Sequence, residues 1–340
     1  MTIESVLIVK LSAIGDVIHA LPVAYAIKET YPNAKVTWVV EPPAYDLLTN
    51  NPYIDDIIIF EKQKFKTLGG FMHNLPSFSA FLRQKQYDVV MDLQGLGKSA
   101  AIALISRAKL KIGCVNMREG SNLVSKSICG PNADGHIVER YLDVARSIGC
   151  KVNDVVFPVN ITPQEAQITK QIMQQAGMRS GNRYVVFVIG ANWPNKRWPA
   201  DYYATLGMYL YDRNIIPVLV GGGATDRRIA DDITAAMLVP PIDLVGKTTL
   251  KQLAYVLKNA AVVVGGDTGP LHLAAGLKRP VVALLGPTDI NRNGPYHQSE
   301  NALEIPESCK HCWKRSCALD KDCLAAITAE RVIAKLARLI

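Results

Sequence analysis

No apolar run in this 340-residue sequence approaches the roughly 18 residues that a membrane-crossing helix needs. The opening MTIESVLIVKLSAIGD has no basic leader and no small-residue cleavage site, and Lys10 interrupts its short apolar run. It reads as a first β-strand rather than a signal peptide, and a cytoplasmic protein is the expectation. Internal repeats of short period and low-complexity segments are absent. So is the interleaving of aromatic and basic residues typical of RNA-binding modules, so nucleic acid is not an expected partner. The common nucleotide fingerprints are missing as well. GGDTGP (265–270) does not spell G-x-G-x-x-G, and GKTTL (246–250) lacks P-loop spacing, which disfavours a dehydrogenase and an NTPase.

What is present suits a globular chain of two ordinary domains: 49% apolar residues, 20% charged, a net charge of +8 and a pI near 9.0. The basic residues are scattered, apart from Lys62, Lys64 and Lys66 in FEKQKFK, and the excess suits an anionic partner. Short β-branched runs alternate with helical patterns. SVLIVK, KVTWVV, DIIIF and DVVMDL mark strands in the first half; YVVFVIG, IIPVLVGG, IDLVG, AVVVGG and PVVALLG mark them in the second. Helices are expected over Asp16–Tyr31, Lys98–Ala108, Ala200–Asp212, Asp226–Ala236 and, as an amphipathic end, Thr328–Ile340. Near-continuous apolar strands in this alternation predict α/β architecture with parallel, doubly wound sheets. The pattern falters at 150–167, where Pro158 and Pro163 punctuate an extended linker, dividing the chain into domains 1–160 and 161–340. Ligands of such sheets bind beyond the carboxyl ends of the strands, and a cleft between the two domains is the natural site.

The chemistry is expected in the strand-to-helix loops. In GGDTGPLHLAA, a helix start offers unpaired N–H groups and partial positive charge, a seat for phosphate. The glycines allow close approach, Thr268 offers a hydroxyl, and His272 follows one turn on. Asp267 would repel phosphate but could accept hydrogen bonds from sugar hydroxyls; the plain alternative is a helix cap. NWPNKRWP (192–199) places Asn192 and Lys196 after another strand, suited to a pyrophosphate or simply solvated. GGGATDRR (221–228) offers Asp226 to ribose hydroxyls or to its own helix. GKTTL could line a base pocket. In the first half, KLSAIGDVIHALP carries Asp16, a general base or a capping acid, and MDLQGLGKSA carries Asp92, Gln94 and Lys98, suited to hydroxyls and an anionic acceptor or to an internal network.

Cys309, Cys312, Cys317 and Cys323 lie in C-x2-C-x4-C-x5-C with His311 among them. Such a cluster could bind zinc or an iron–sulfur centre, or stand as reduced thiols or a local disulfide; its role would be structural.

Together, VLIVKLSAIGDVIHALP, YDVVMDLQGLGKSA, HIVERY (136–141), the K-x-W-P of Lys196–Pro199 and GGDTGPLHLAA resemble the family 9 glycosyltransferases, the lipopolysaccharide heptosyltransferases, and lean toward their type I. The resemblance implies the GT-B fold, with an N-terminal acceptor domain and a C-terminal nucleotide-sugar domain carrying the cysteine-rich loop and terminal helix. It implies inverting transfer of L-glycero-D-manno-heptose from ADP-heptose to Kdo-lipid A or a heptosylated core at the cytoplasmic face of the inner membrane. Asp16 would be the base. Asn192, Lys196, Thr268, Gly269 and His272 would hold the diphosphate or its sugar, Asp267 the sugar hydroxyls, Asp226 the ribose, and Thr248 the adenine. Lys98, with Lys62, Lys64 and Gln94, would face the acceptor. No metal would be required for catalysis; the Asp-x-Asp of Asp320 and Asp322 falls in the cysteine-rich loop and is not read as a metal motif. A related transferase using another nucleotide-sugar, a sugar-nucleotide epimerase, and a non-catalytic binding protein are the alternatives.

Overall fold

The computed structural model describes residues 2–306, 309–317 and 321–340. The chain divides into two compact units, Met1–Asn160 and Ile161–Ile340.

The first unit is built on β1 (Ser5–Val9), β2 (Lys35–Val40), β3 (Asp56–Ile59), β4 (Val89–Asp92), β5 (Leu110–Cys114) and β6 (Lys126–Ile128). Its helices are α1 (Ile14–Thr30), α2 (Pro42–Leu48), α3 (Leu68–Leu82), α4 (Gly97–Ile105) and α5 (Ile137–Arg146). All strands run parallel in the order β3-β2-β1-β4-β5-β6. β1 is central and buried from Val6 onward, which is why it reads as an unbroken apolar run.

The second unit contains α6 (Pro163–Gln175), β7 (Tyr184–Val188), α7 (Ala200–Tyr211), β8 (Ile216–Val220), α8 (Ala224–Ala236), β9 (Ile242–Asp243) and α9 (Leu250–Lys258). It continues with β10 (Val262–Gly266), α10 (Gly269–Gly276), β11 (Val281–Leu285), α11 (Ile290–Asn293), β12 (Ala302–Glu304) and α12 (Ala329–Leu336). The sheet order is β12-β11-β10-β7-β8-β9. Counted from each unit's own first strand, both sheets have the Rossmann order 3-2-1-4-5-6. Each therefore has a topological switch point, between β1 and β4 and between β7 and β10, where connections leave in opposite directions and loops splay to admit a ligand.

Pro163 does not continue an extended linker. It is the first residue of α6, where its missing N–H costs nothing. Thr162 and Glu165 cap that helix reciprocally: Thr162 Oγ1 accepts from the Glu165 N–H at 3.2 Å, and the Glu165 carboxylate accepts from the Thr162 N–H at 2.7 Å. The terminal helix packs as its pattern predicts, with Val332 and Leu336 in the core around Trp198 and Tyr203.

Candidate active site

The loops at the second switch point follow β7 and β10. They converge on Asp267, a carboxylate only 5% exposed. Its Oδ2 accepts from Lys196 Nζ and from Thr288 Oγ1, each at 2.6 Å, and its Oδ1 lies 2.7 Å from His272 Nε2. The Lys196 ammonium also sits 4.6 Å from the centre of the Trp193 ring. Burial pushes the Asp267 carboxyl up, but hydrogen bonding and charge at His272 and Lys196 outweigh it and hold the group well below the usual carboxylate range. The result is a fixed anion beside a fixed cation at the start of α10.

Gly265 and Gly266 are needed for packing. A Cβ on Gly266 would lie 2.2 Å from the Lys196 carbonyl oxygen, and one on Gly265 2.8 Å from that of Val188. The glycines thus bring the Lys196 loop down onto β10 rather than serving only a ligand's approach. Thr268 is the N-cap residue of α10, but its hydroxyl contacts Gly266 O at 3.3 Å and leaves the helix start uncapped by that side chain. Gly269 opens the helix.

The other residues expected to bind the donor differ among themselves. Asn192 is exposed, and Thr248 is half-buried just before α9. Asp226 is half-buried and pins its own loop: Oδ2 accepts from the Gly222 N–H at 2.7 Å, and the carboxylate lies over Gly190, where a Cβ would come within 2.1 Å of it. Asp226 thus holds the loop that leads into α8, whose N-cap residue, Gly223, makes no side-chain cap.

At the first switch point the arrangement is different. Asp16 is the third residue of α1, half-buried, and one oxygen accepts from the Ala13 N–H at 3.2 Å. The loop before it is held from β4. Gln94 Oε1 accepts from the N–H groups of Leu11 and Ser12 at 3.0 and 3.1 Å, so that carbonyl is committed to the protein's own backbone. Asp92, fully buried, accepts from the N–H groups of Gln94 and Gly95 and shapes the same turn. Burial raises its carboxyl pKa despite those bonds. Lys98 is paired with Glu41 at the end of β2. Lys62 and Lys64 lie in the 3-10 turn after β3, Lys64 paired with Glu61 at 2.7 Å.

Beneath this loop, buried Lys10 donates to Leu93 O at 3.0 Å and to the Tyr141 hydroxyl at 2.8 Å. His136 caps α5, its Nδ1 accepting from the Val138 N–H at 3.2 Å. These contacts explain HIVERY as structure: one residue caps a helix and another satisfies a buried ammonium.

The cysteine-rich segment packs on the second unit. Cys323 Sγ lies against Gly286, and the Lys314 carbonyl accepts from Asn195 Nδ2 at 2.6 Å. None of the seven cysteines is joined in a disulfide, and Cys323 is pushed up to about 11 by burial and by Cys309, Cys312 and Cys317 nearby. Among the described residues no group of three or more His, Cys, Asp or Glu is arranged to hold a metal ion. Asp320 lies outside the described residues.

The sequence alone does not single out Thr288, Glu41 and Lys10, which the structure brings into contact with Asp267, Lys98 and Tyr141. Thr288 had a signal, the GPTD that follows β11 at yet another strand's carboxyl end.

A family model for glycosyltransferase family 9 (heptosyltransferase) matches residues 77–322. The lipopolysaccharide heptosyltransferase 1 of Pseudomonas aeruginosa is 30% identical over 322 residues, 92% of this chain and 87% of that protein. Among solved structures, a family 9 glycosyl transferase from Veillonella parvula superposes with a TM-score of 0.85 at 23% identity, covering 99% of this chain and 97% of that one. The E. coli heptosyltransferase WaaC with ADP-2-deoxy-2-fluoro heptose gives 0.73 at 26% identity, covering 98% and 99%. Two doubly wound sheets of this order are the GT-B type of architecture, shared with these enzymes. With the family match taking in β4, the Lys196 loop and the Asp267 turn, the chain belongs to glycosyltransferase family 9 and is a glycosyltransferase.

Proposed function

We propose that this enzyme transfers L-glycero-D-manno-heptose from ADP-heptose, with inversion and without a catalytic metal, to a Kdo or heptose hydroxyl of the lipopolysaccharide inner core. The reaction would run at the cytoplasmic face of the inner membrane, with the first unit taking the acceptor and the second the donor. The observation that carries this reading is the Asp267 cluster. A carboxylate for sugar hydroxyls, an ammonium for a diphosphate and a helix start meet at one switch point. The P. aeruginosa relative and the ADP-2-deoxy-2-fluoro heptose of the WaaC structure support heptose as the donor sugar.

In this reading the acceptor oxygen attacks the anomeric carbon as the bond from that carbon to the β-phosphate oxygen breaks. The electron pair leaves with ADP, and the acceptor proton passes to Asp16. Lys196 and the start of α10 stabilise the charge that grows on the departing diphosphate, which is how the reaction proceeds without a Lewis acid. His272 and Thr288 hold Asp267 in place, Asn192, Thr268 and Gly269 complete the diphosphate seat, Asp226 lies toward the ribose and Thr248 toward the adenine. Lys62, Lys64 and Lys98 face the anionic acceptor, with Gln94 fixing the Asp16 loop beside it.

The test is direct. The protein is incubated with ADP-heptose and truncated core acceptors, with and without a chelator, and products are identified by mass. A mass increase of one heptose on a Kdo-terminated acceptor, undiminished by chelator, is expected. Epimerised donor without transfer, or transfer abolished by chelator, overturns the reading.

A further inference from the structure

α3 departs from the other helices of the first unit. Only Leu82 along it is buried, and its hold on the sheet runs through Phe78 and Leu82 against Phe60 and the core behind it. Its first two turns point large apolar side chains outward: Leu68 is 77% exposed, Met72 68% and Phe71 42%. An apolar side chain facing water to that degree is unfavourable unless something covers it, and here three cluster within five residues.

The charge in the surrounding stretch of sequence has one sign. From Lys62 to Tyr87 the sequence contains no Asp or Glu, while Lys62, Lys64, Lys66, Arg83 and Lys85 fall within it. Glu61 and Asp56, from outside that stretch, pair with Lys64 and Lys85. Lys62 and Lys66 are exposed, directly before the apolar turns. Because the strands are parallel, the turn after β3 lies at the sheet edge that also carries the Asp16 loop and the Lys98 loop. An apolar tip with exposed Lys62 and Lys66 directly before it, beside the loops proposed to bind a lipid-linked acceptor, has the composition of an interfacial anchor.

We propose that the start of α3 and the lysines before it dock on an anionic lipid bilayer, with Leu68 and Met72 entering the headgroup–acyl boundary and Lys62 and Lys66 meeting lipid phosphates. The inference rests on the transfer reading for its purpose, that of holding the Asp16 edge where a membrane-anchored sugar presents its hydroxyl. It does not rest on that reading for its test.

The full chain, without donor or acceptor, is floated with vesicles of phosphatidylglycerol and phosphatidylethanolamine and, separately, with vesicles of phosphatidylcholine alone. Partition onto the anionic vesicles is expected to exceed that onto phosphatidylcholine by about 25-fold, at roughly fivefold for each of two lysines. It should fall as salt shortens the Debye length from about 10 Å at 0.1 M to 3 Å at 1 M. Leu68→Ser with Met72→Ser should lower anionic partition at least about tenfold, and turnover of a water-soluble, deacylated acceptor should stay unchanged. Equal partition of variant and wild type, no partition at all, or indifference to lipid charge and salt overturns the proposal. So does light scattering in which the double variant dissolves a dimer while vesicle partition stays the same, because the patch then covers a second copy. A chain that floats as expected yet transfers no heptose supports the docking surface and overturns the transfer reading.

Discussion

Each unit buries an aspartate near the carboxyl end of its fourth strand, Asp92 by β4 and Asp267 after β10, and the two are shifted in opposite directions. The topology around them is the same and the burial nearly so. The difference is in the partners. Asp92 receives mainly backbone N–H groups, and desolvation wins. Asp267 receives an ammonium, an imidazole and a hydroxyl, and it stays anionic. A strand order supplies a place for a ligand, and the charges brought to that place decide which ligand it suits. In the proposed transfer, the first switch point spends its buried acid on holding a loop and leaves the half-buried Asp16 for chemistry, while the second uses its buried acid as part of the seat.

The sharpest way to test that division is to remove the acid assigned to chemistry. Asp16→Asn should lower kcat about 10²–10⁴-fold, with donor affinity by calorimetry unchanged. Retained turnover would take Asp16 out of the role of base.

Next comes the cation of the second seat. Lys196→Met should lower kcat/KM about 10²–10³-fold. Because it strands a buried carboxylate, it should also destabilise the chain by about 3–5 kcal/mol in urea. A stable variant with normal kinetics would mean that the pair is ornamental. Thr288→Val, which removes one hydrogen bond to the charged oxygen, should cost about 1.5–3 kcal/mol of stability and about tenfold in kcat/KM. Thr288→Ser should restore both.

The smallest effect separates the two aspartates themselves. Asp267 has a lowered pKa, so its stabilising contribution is present above the unfolded-state value near 3.9 and is lost as pH falls below it. Asp92 has a raised pKa, so its contribution is present below that value and is lost as pH rises through its folded-state pKa. Denaturation across a pH series should show Asp92→Asn removing a decline on the rising side, and Asp267→Asn removing one on the acid side. Slopes of the same sign would end the comparison.

Much of this was legible beforehand, and the gaps have physical causes. KVTWVV is β2 residue for residue because a buried parallel strand reads as a near-continuous β-branched and aromatic run, with Thr37 as its buried hydroxyl. LKIGC (β5) and the three-residue β6 and β12 escaped notice, since a lysine, a glycine or sheer brevity breaks the run. α3 was hidden by Gly69, Gly70 and Pro76, and by an apolar pattern that wraps around the helix instead of following one face. In the site, the strand-end loops pointed to Asp16, Lys196 and Asp267, because ligands of doubly wound sheets bind beyond the carboxyl ends of the strands. What Gln94 does could not be read, because its partners lie 82 and 83 residues away. The double glycine before Asp267 suggested a ligand's approach, when the closest visitor is the chain's own Lys196 carbonyl.

The 2.6 Å contact between Lys196 and Asp267 bears on selectivity. In the proposed function an anion that recruits Lys196 competes with a carboxylate for its ammonium, so free phosphate or a bare nucleotide weakens an internal ion pair and gives Asp267 nothing in return. A ligand that brings a polyol alongside its phosphates satisfies both halves at once. A seat that works as proposed would discriminate by exchange, disfavouring competitors through the cation they take from the carboxylate rather than through steric bulk.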